Sequence, residues 1–546
     1  MGIRRYTDFL ETDDGYSFSG ILMLAFISGI ANTGVLALIN MAADDIDFHS
    51  TALSTVAKFM ILVSLAIGAE AVMIRRTIVT VEFAIHRARC TLIKNLQQCE
   101  YMELQAMGRG RLNAIISNNL QTLSASSWNL AISAKMLPLV VGTSAYMLYL
   151  SPTAFMVMAA AIGLIAILFF RAYGNNGGSQ KNPNAEIYDG VSEILSATRE
   201  SKLNATRARV SLGRFQATSD RVRERAAVQE QGMAFQYLFS QASLFLLIGS
   251  MIFVVPAISE TFGKMVQEST TAILFLIGPV GAIVSSVPIL KSCTRAIDEV
   301  TGLQSELERY SGRHAAADDG LPSDHLDDFR EVQLQGLTFS HQRTNTPGGF
   351  MVGPLDLTIA RGTVTFITGG NGSGKSTLLH LLTTLYPQAS GMITVDGRAL
   401  APGEIHAYRQ LFATVLSDLH LGRHLDSLDS ADLGELKQWL KRLEVDRLVQ
   451  VQDRKLSTVD LSTGQKKRVA LAVALAEKRP ILILDEWAAD QDPVFRKKFY
   501  REILPDIADG QRTVVAVTHD DAYFDMCDQS VNLRDGLVVS AQEESA

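Results

Sequence analysis

Hydrophobic and polar positions divide the chain into two textures. From Ser19 to Leu290 long apolar stretches dominate, whereas from about Asp318 onward short aliphatic runs alternate with amphipathic segments and charged turns. A bilayer span takes roughly 20 mostly apolar residues. Six stretches reach that length: Ser19 to Ala42, Ala52 to Ile74, Leu130 to Leu150, Thr153 to Phe170, Met233 to Ala257 and Thr270 to Leu290. They predict six transmembrane helices, the first too long and too soon followed by a second for a cleaved leader. In the other half, "TVTFIT" predicts a strand, "TLLHLLTTLY" a helix, "ILILD" a buried parallel strand and "VALAVALAEK" another helix. The expected architecture is a membrane α-helical domain of six spans (residues 1–312), a linker (313–328) and an α/β domain (329–546). Small and charged residues with one proline, "YSGRHAAADDGLPSDH" from Tyr310 to His325, suit the linker.

Charge between the apolar stretches orients them. The connection after the second carries Arg75, Arg76, Arg87, Arg89, Lys94, Arg109 and Arg111, and the one after the fourth carries Arg199, Lys202, Arg207, Arg209, Arg214, Arg221, Arg223 and Arg225. The first connection has Asp44, Asp45 and Asp47 but no Lys or Arg, and the fifth has only Lys264. The positive-inside rule then places both termini and both long connections in the cytoplasm. Net charge of -7 and mean hydropathy of +0.15 are averages over these unlike halves. Cys90, Cys99, Cys293 and Cys527 show neither metal-site spacing nor pairing. Nothing in the chain points to a nucleic-acid partner.

Candidate chemistry begins at "GGNGSGKS", residues Gly369, Gly370, Asn371, Gly372, Ser373, Gly374, Lys375 and Ser376, followed by Thr377. This fits G-x-x-x-x-G-K-[ST] between a predicted strand and a predicted helix. Glycines let backbone N–H groups turn inward around phosphate oxygens, the helix N-terminus adds partial positive charge, Lys375 reaches the β- and γ-phosphates, and Ser376 binds Mg²⁺. A second acidic feature needs a cation: "ILILDEWAADQD" runs an apolar strand into Asp485 and Glu486, with Asp490 and Asp492 close behind. Like charges crowded at a strand end repel and lose hydration. An ATP-bound Mg²⁺ held by Asp485 and Ser376 answers the first pair, and leaves Glu486 to activate a water in line with the γ-phosphate as general base.

Upstream, "LSTGQKKR" opens a helix with a second anion cradle, Leu461, Ser462, Thr463, Gly464 and Gln465. Together with the P-loop, the Asp-Glu pair and His519 in "THD", this resembles the nucleotide-binding domain of ATP-binding cassette (ABC) transporters. Six spans followed by one such domain resemble a half-transporter exporter over the whole chain. The resemblance implies a homodimer in which two ATP domains meet head to tail, each signature completing the other's P-loop site, with His519 as the switch histidine at the γ-phosphate. "DEWAADQDP", "FYREILP", "YRQLFATVLSDLHL" and "THDDAYF" are similar to the cyclic-peptide and siderophore exporter branch, as is "RESKLN" (Arg199 to Asn204), which resembles its coupling loop. Three features depart from the family pattern. Ser417 stands where a glutamine usually senses γ-phosphate and metal, with Asp418 beside it as an alternative metal contact. His341 takes the place of the adenine-stacking aromatic. "GNNGGSQKNPN", Gly174 to Asn184, interrupts an otherwise continuous helix.

Within the spans, Lys58, Glu70 and Lys135 are costly ionisable residues, with Lys58 and Glu70 too far apart on one helix to pair. Lined as well by Asn32, Asn40, Asn129, Gln236 and Gln241, the spans suit an amphiphilic, peptide-like cargo. The resulting expectation is ATP-driven export of a cyclic peptide, peptide siderophore or precursor across the bacterial inner membrane, by a homodimer embedded in lipid. A lipid flippase or multidrug exporter uses the same parts, and an ATP-gated regulator without transport is the reading from another class.

Overall fold

The computed structural model describes residues 8–10, 18–44, 53–173, 183–249, 252–253, 266–311, 326, 328–340, 350–508 and 512–539. These fall into two compact units, one of Met1–Gln97 with Met107–Leu307, the other of Gln98–Ala106 with Glu308–Ala546.

The first unit is helical. Its main described helices are α1 (Phe18–Asp44), α2 (Leu53–Gln98), α4 (Leu120–Leu150), α5 (Pro152–Tyr173), α6 (Pro183–Ser196), α7 (Thr198–Leu203), α8 (Ala205–Gly249) and α9 (Val266–Ser311), while α3 (Tyr101–Met107) lies mostly in the segment grouped with the second unit. Four helices among the described residues are long and apolar enough to cross a membrane, within Ser19–Ala42, Ser54–Gln98, Gly110–Leu150 and Thr270–Tyr310. They carry the first, second, third and sixth expected spans. The fourth falls on α5, and the fifth begins in α8, most of its last part (250–257) lying outside the described residues. At 46 residues, α2 is about 70 Å long, more than twice a bilayer core. Its excess carries Arg75, Arg76, Arg87, Arg89 and Lys94, so much of the basic connection is a helical extension of the span.

Close approach of α1 to α4 depends on small residues. A Cβ added at Gly29 would stand 2.7 Å from Pro138 Cβ, and one at Gly142 would stand 2.5 Å from Thr33 Oγ1. Between α2 and α4, Lys135 Nζ donates to Glu70 Oε2 at 2.5 Å, the lysine side chain only 10% exposed. This partner was hidden in the sequence, where the two residues belong to separate spans. Lys58, by contrast, is exposed. The break at Gly174 to Asn184 falls largely outside the described residues, α5 ending at Tyr173 and α6 starting at Pro183.

The second unit is α/β. Strands β1 (Glu331–Ser340), β2 (Met351–Ala360), β3 (Val364–Gly369), β4 (Ser390–Val395), β5 (Arg398–Ala399), β6 (Phe412–Val415), β7 (Val451–Gln452), β8 (Lys455–Leu456), β9 (Ile481–Asp485), β10 (Thr513–Val517), β11 (Gln529–Arg534) and β12 (Leu537–Val539) combine with helices α10 (Lys375–Leu382), α11 (Ser430–Arg442), α12 (Thr463–Ala476) and α13 (Pro493–Lys498). One sheet runs β2-β1-β4-β5 and is antiparallel; the other runs β12-β11-β3-β10-β9-β6, parallel except for β12 at its edge. Every residue of β9 and β10 is buried, as expected for strands covered on both faces. One core packs α11, α12 and α13 residues such as Leu436, Leu471 and Phe495 with Leu482 and Val514; another packs α10 residues such as Leu378 and Leu381 with Ile367, Ile483 and Val515. Register aligns the strand ends: Val517 of β10 pairs with Ile367 of β3 on one side and Asp485 of β9 on the other. The loop after β3, the acids after β9 and His519 after β10 therefore emerge at one carboxyl edge, where ligands of such sheets bind.

Candidate nucleotide site

The P-loop leaves β3 at Gly369 and enters α10 at Lys375. Its turn needs glycine in two places. Gly369 has φ of 139° and a Cβ there would lie 2.2 Å from Leu533 O; Gly374, the N-cap of α10, has φ of 104° and a Cβ would press on Val352. Ser373 N donates to Gly370 O at 3.2 Å, which closes the loop, and Leu378 N donates to Gly374 O at 2.8 Å, which starts the helix. Lys375 is buried, with Nζ donating to Gly369 O and Gly370 O at 3.0 Å each, inside the cradle where phosphate oxygens would be met. Ser373 Oγ is buried without a partner in the described structure. An unsatisfied hydroxyl beside an ammonium and a helix N-terminus fits a phosphate. Asn371, Gly372 and Ser376 are exposed around it and Thr377 is buried behind. One hydroxyl, Ser376, and one carboxylate, Asp485, at the same sheet edge suit a hard cation that takes its other ligands from phosphate and water.

Asp485 ends β9 and is only 4% exposed. Glu486 then turns sharply: φ is +48°, a left-handed value rare for a side chain with a Cβ, and its N–H donates to Val517 O at 3.1 Å. The turn carries the carboxylate out of the sheet to within 3.4 Å of His519 Nε2. Both residues stand out in the sequence, whereas the groups that anchor the histidine's loop do not. Tyr500 from the segment after α13 bonds Thr518 Oγ1 at 2.7 Å and Asp520 Oδ2 at 3.0 Å, while Arg496 of α13 holds Asp520 Oδ1 at 3.1 Å.

The signature helix α12 is capped by its own first residues: Ser462 Oγ accepts from Gln465 N at 3.4 Å and Gln465 Oε1 accepts from Ser462 N at 3.1 Å. Ser462 and Thr463 are exposed, and Leu461 packs on the adjacent core. Two of the four crowded carboxylates find their cations here, a refinement of the expectation from sequence. Lys467 Nζ lies 2.7 Å from Asp490 Oδ2, and Arg468 Nη2 lies 2.9 Å from Asp492 Oδ2. Asp492 also caps α13, and the Phe495 backbone N–H above all, helped by Arg468, holds its carboxyl below the usual range although burial opposes the shift. Gly464 is pressed against the same loop, since a Cβ there would meet Asp490 O at 2.6 Å. The signal was present in the sequence as "KKR" shortly after the signature glycine, yet only the packing shows which acids it serves.

Ser417 and Asp418 are exposed in the turn after β6. Asp418 lies within electrostatic reach of Tyr386, whose hydroxyl is raised mainly by burial and further by Tyr101 and Asp418. Tyr386 in turn stacks on Tyr101 of α3 and Phe339, tilts against His380 of α10, and donates to Gln105 at 3.2 Å. His341, the adenine candidate, lies outside the described residues.

Residues 352–489 match the ABC transporter family. ATP-binding protein SyrD of Pseudomonas syringae pv. syringae is 29% identical over 538 residues, covering 95% of this chain and 93% of the relative. The glutamine transport ATP-binding protein GlnQ of Escherichia coli (strain K12) is 33% identical over 177 residues, 30% of this chain and 73% of that protein. The lactococcin-A transport/processing ATP-binding protein LcnC of Lactococcus lactis subsp. lactis is 25% identical over 282 residues, 48% of this chain and 38% of the relative.

Proposed function

The chain belongs to the ABC transporter family, and from that premise we propose that it exports a cyclic peptide, a peptide siderophore or the precursor of one outward across the bacterial inner membrane. The coarser activity, ATP hydrolysis coupled to transport by a membrane protein, is that of the family. In our reading residues 1–312 form the membrane domain, 313–328 the linker and 329–546 the ATPase, with both termini cytoplasmic.

Roles follow from the chemistry of the site. The loop from Gly369 to Ser376 and the N-terminus of α10 bind the phosphates, and Lys375 neutralises them. Mg²⁺, held by Ser376 and Asp485 with Asp418 near the same edge, supplies further charge neutralisation when bound. Glu486 takes the proton of the attacking water, and His519 orients at the γ-phosphate. Leu461 to Gln465 reach the nucleotide of a second copy, so the working unit is a homodimer.

One observation carries the reading: Glu486 beside His519 in a chain that also bears long apolar helices. A regulator that only binds ATP has no use for a carboxylate set against a histidine at the hydrolytic end. Likeness to SyrD runs nearly the full length of both chains, so it includes the membrane half where cargo is met. The test compares cytoplasmic and external metabolites of a deletion strain by mass spectrometry. A peptide-like product retained in the cytoplasm is the expected result, whereas retention of lipid or unrelated drugs alone would move the assignment to a flippase or multidrug exporter.

A further inference from the structure

Glu486 holds a backbone conformation that its own residue type disfavours, with φ of +48°. Such a conformation persists only where surrounding groups over-determine it. Its N–H is tied to Val517 O at 3.1 Å. Its carbonyl is tied to something less expected: the ammonium of Lys467, 2.7 Å away, from the second turn of the signature helix α12. That lysine is 4% exposed, an unusual burial for a cation without a fixed task. The clasp is reciprocal, because the Trp487 indole N–H donates to Lys467 O at 2.8 Å and Trp487 is itself buried. Asp490, at 2.7 Å from Nζ, balances the charge.

We propose that Lys467 is a positioning residue for ATP hydrolysis: by holding the Glu486 carbonyl it fixes the turn that aims the Glu486 carboxylate at the attacking water. The inference rests on the reading of Glu486 as general base. With Nζ removed, Glu486 keeps the N–H tether to Val517 on its preceding peptide but loses the carbonyl tether on its following one, and relaxes toward right-handed φ, which swings the side chain. Displacement of a catalytic group by about 1 Å can cost about 10²-fold in rate. ATP affinity, set by the P-loop on another strand, should be left as it was.

The experiment uses the purified full-length protein in lipid nanodiscs. Lys467→Met keeps the length of the side chain and removes the donor; it should lower kcat by at least about tenfold, within the range assigned to general-base help, while equilibrium ATP affinity stays within about twofold of wild type. In a Glu486→Gln background, Lys467→Met should add no further loss, because both act through one carboxylate. Asp490→Asn, which removes the balancing charge but keeps a side-chain oxygen able to accept from Nζ and leaves the carbonyl contact, should keep kcat within about threefold, because the carboxylate end of the pair is 44% exposed and replaceable by water. A kcat for Lys467→Met within twofold of wild type overturns the proposal. So does a parallel loss of ATP affinity, an equal further loss in the Glu486→Gln background, or an Asp490→Asn defect as deep as that of Lys467→Met. Failure of the underlying reading looks different, since Glu486→Gln alone would then hydrolyse ATP at nearly the normal rate.

Discussion

His519 Nε2 stands 3.4 Å from Glu486 Oε1, each side chain nearly half exposed at the carboxyl edge of the sheet. The pair is open to a ligand and yet fixed from behind, Glu486 by Val517 and Lys467, His519's loop by Tyr500 and Arg496. Glu486→Gln should therefore still bind ATP and accumulate with nucleotide bound, while hydrolysis falls by roughly 10²–10⁴-fold. Steady-state turnover and nucleotide retention on the purified variant check this, and near-normal turnover would sink the assignment.

The altered loop after β6 offers two metal-sensing candidates side by side. Asp418 carries charge and Ser417 does not, so Asp418→Ala should raise the Mg²⁺ concentration needed for half-maximal ATPase, whereas Ser417→Ala should change it little. Removing Mg²⁺ by chelation should abolish turnover in both. A titration that ranks the two variants the other way would make Ser417 the contact.

Glu70 and Lys135 lie on different helices inside the apolar half, the lysine largely buried. Removing one partner leaves the other charge in surroundings that penalise it, while removing both leaves none. Lys135→Met should thus lower the melting temperature of the detergent-solubilised protein more than the double variant Glu70→Gln/Lys135→Met does. Additive losses would mean that the two residues do not act as a pair.

Asp492 gives a pH signature with a definite sign. Its folded-state carboxyl is held below the usual value by the Phe495 N–H and Arg468, so the charge contributes stability above the unfolded value, about 3.9, and loses it as pH falls through the lower folded value. Asparagine can still cap α13, which isolates the charge. The difference in melting temperature between wild type and Asp492→Asn should be constant near neutral pH and shrink below about pH 4.

Legibility in the sequence followed the range of each interaction. The P-loop and the strand ending at Asp485 depend on residues a few positions apart, so spacing alone exposes them. Lys467 with Glu486, and Tyr500 with Asp520, join separate elements, and the sequence holds no period that links them. Glu70 and Lys135 were each conspicuous as charges in apolar runs, yet their pairing depends on how α2 packs against α4. The helix after the P-loop is shorter than the "TLLHLLTTLY" pattern predicts, for a local reason: α10 ends at Leu382, and Thr384 turns left-handed at φ of 56°. Apolar periodicity continues past that point, but Thr383 and Thr384 break the helix while Tyr386 goes on to pack against Phe339.

Completion of each site by a second copy is the last prediction. One chain holds one P-loop and one signature, and Ser462 and Thr463 are exposed at the start of α12. A second copy meeting the first head to tail is the simplest complement. Ser462 and Gly464 would then donate to the γ-phosphate held by Lys375 of the other copy, adding electrostatic stabilisation that neither chain supplies alone. Lys375→Ala and Ser462→Arg should each disable both sites of a homodimer. In a dimer carrying one lesion on each chain, both defects fall in the same site and the other is intact, so purified mixed dimers should regain ATPase activity. The control is Lys375→Ala paired with wild type, which measures whether one intact site turns over by itself. If that control hydrolyses ATP and the mixed dimer does not, Ser462 does not act across the dimer.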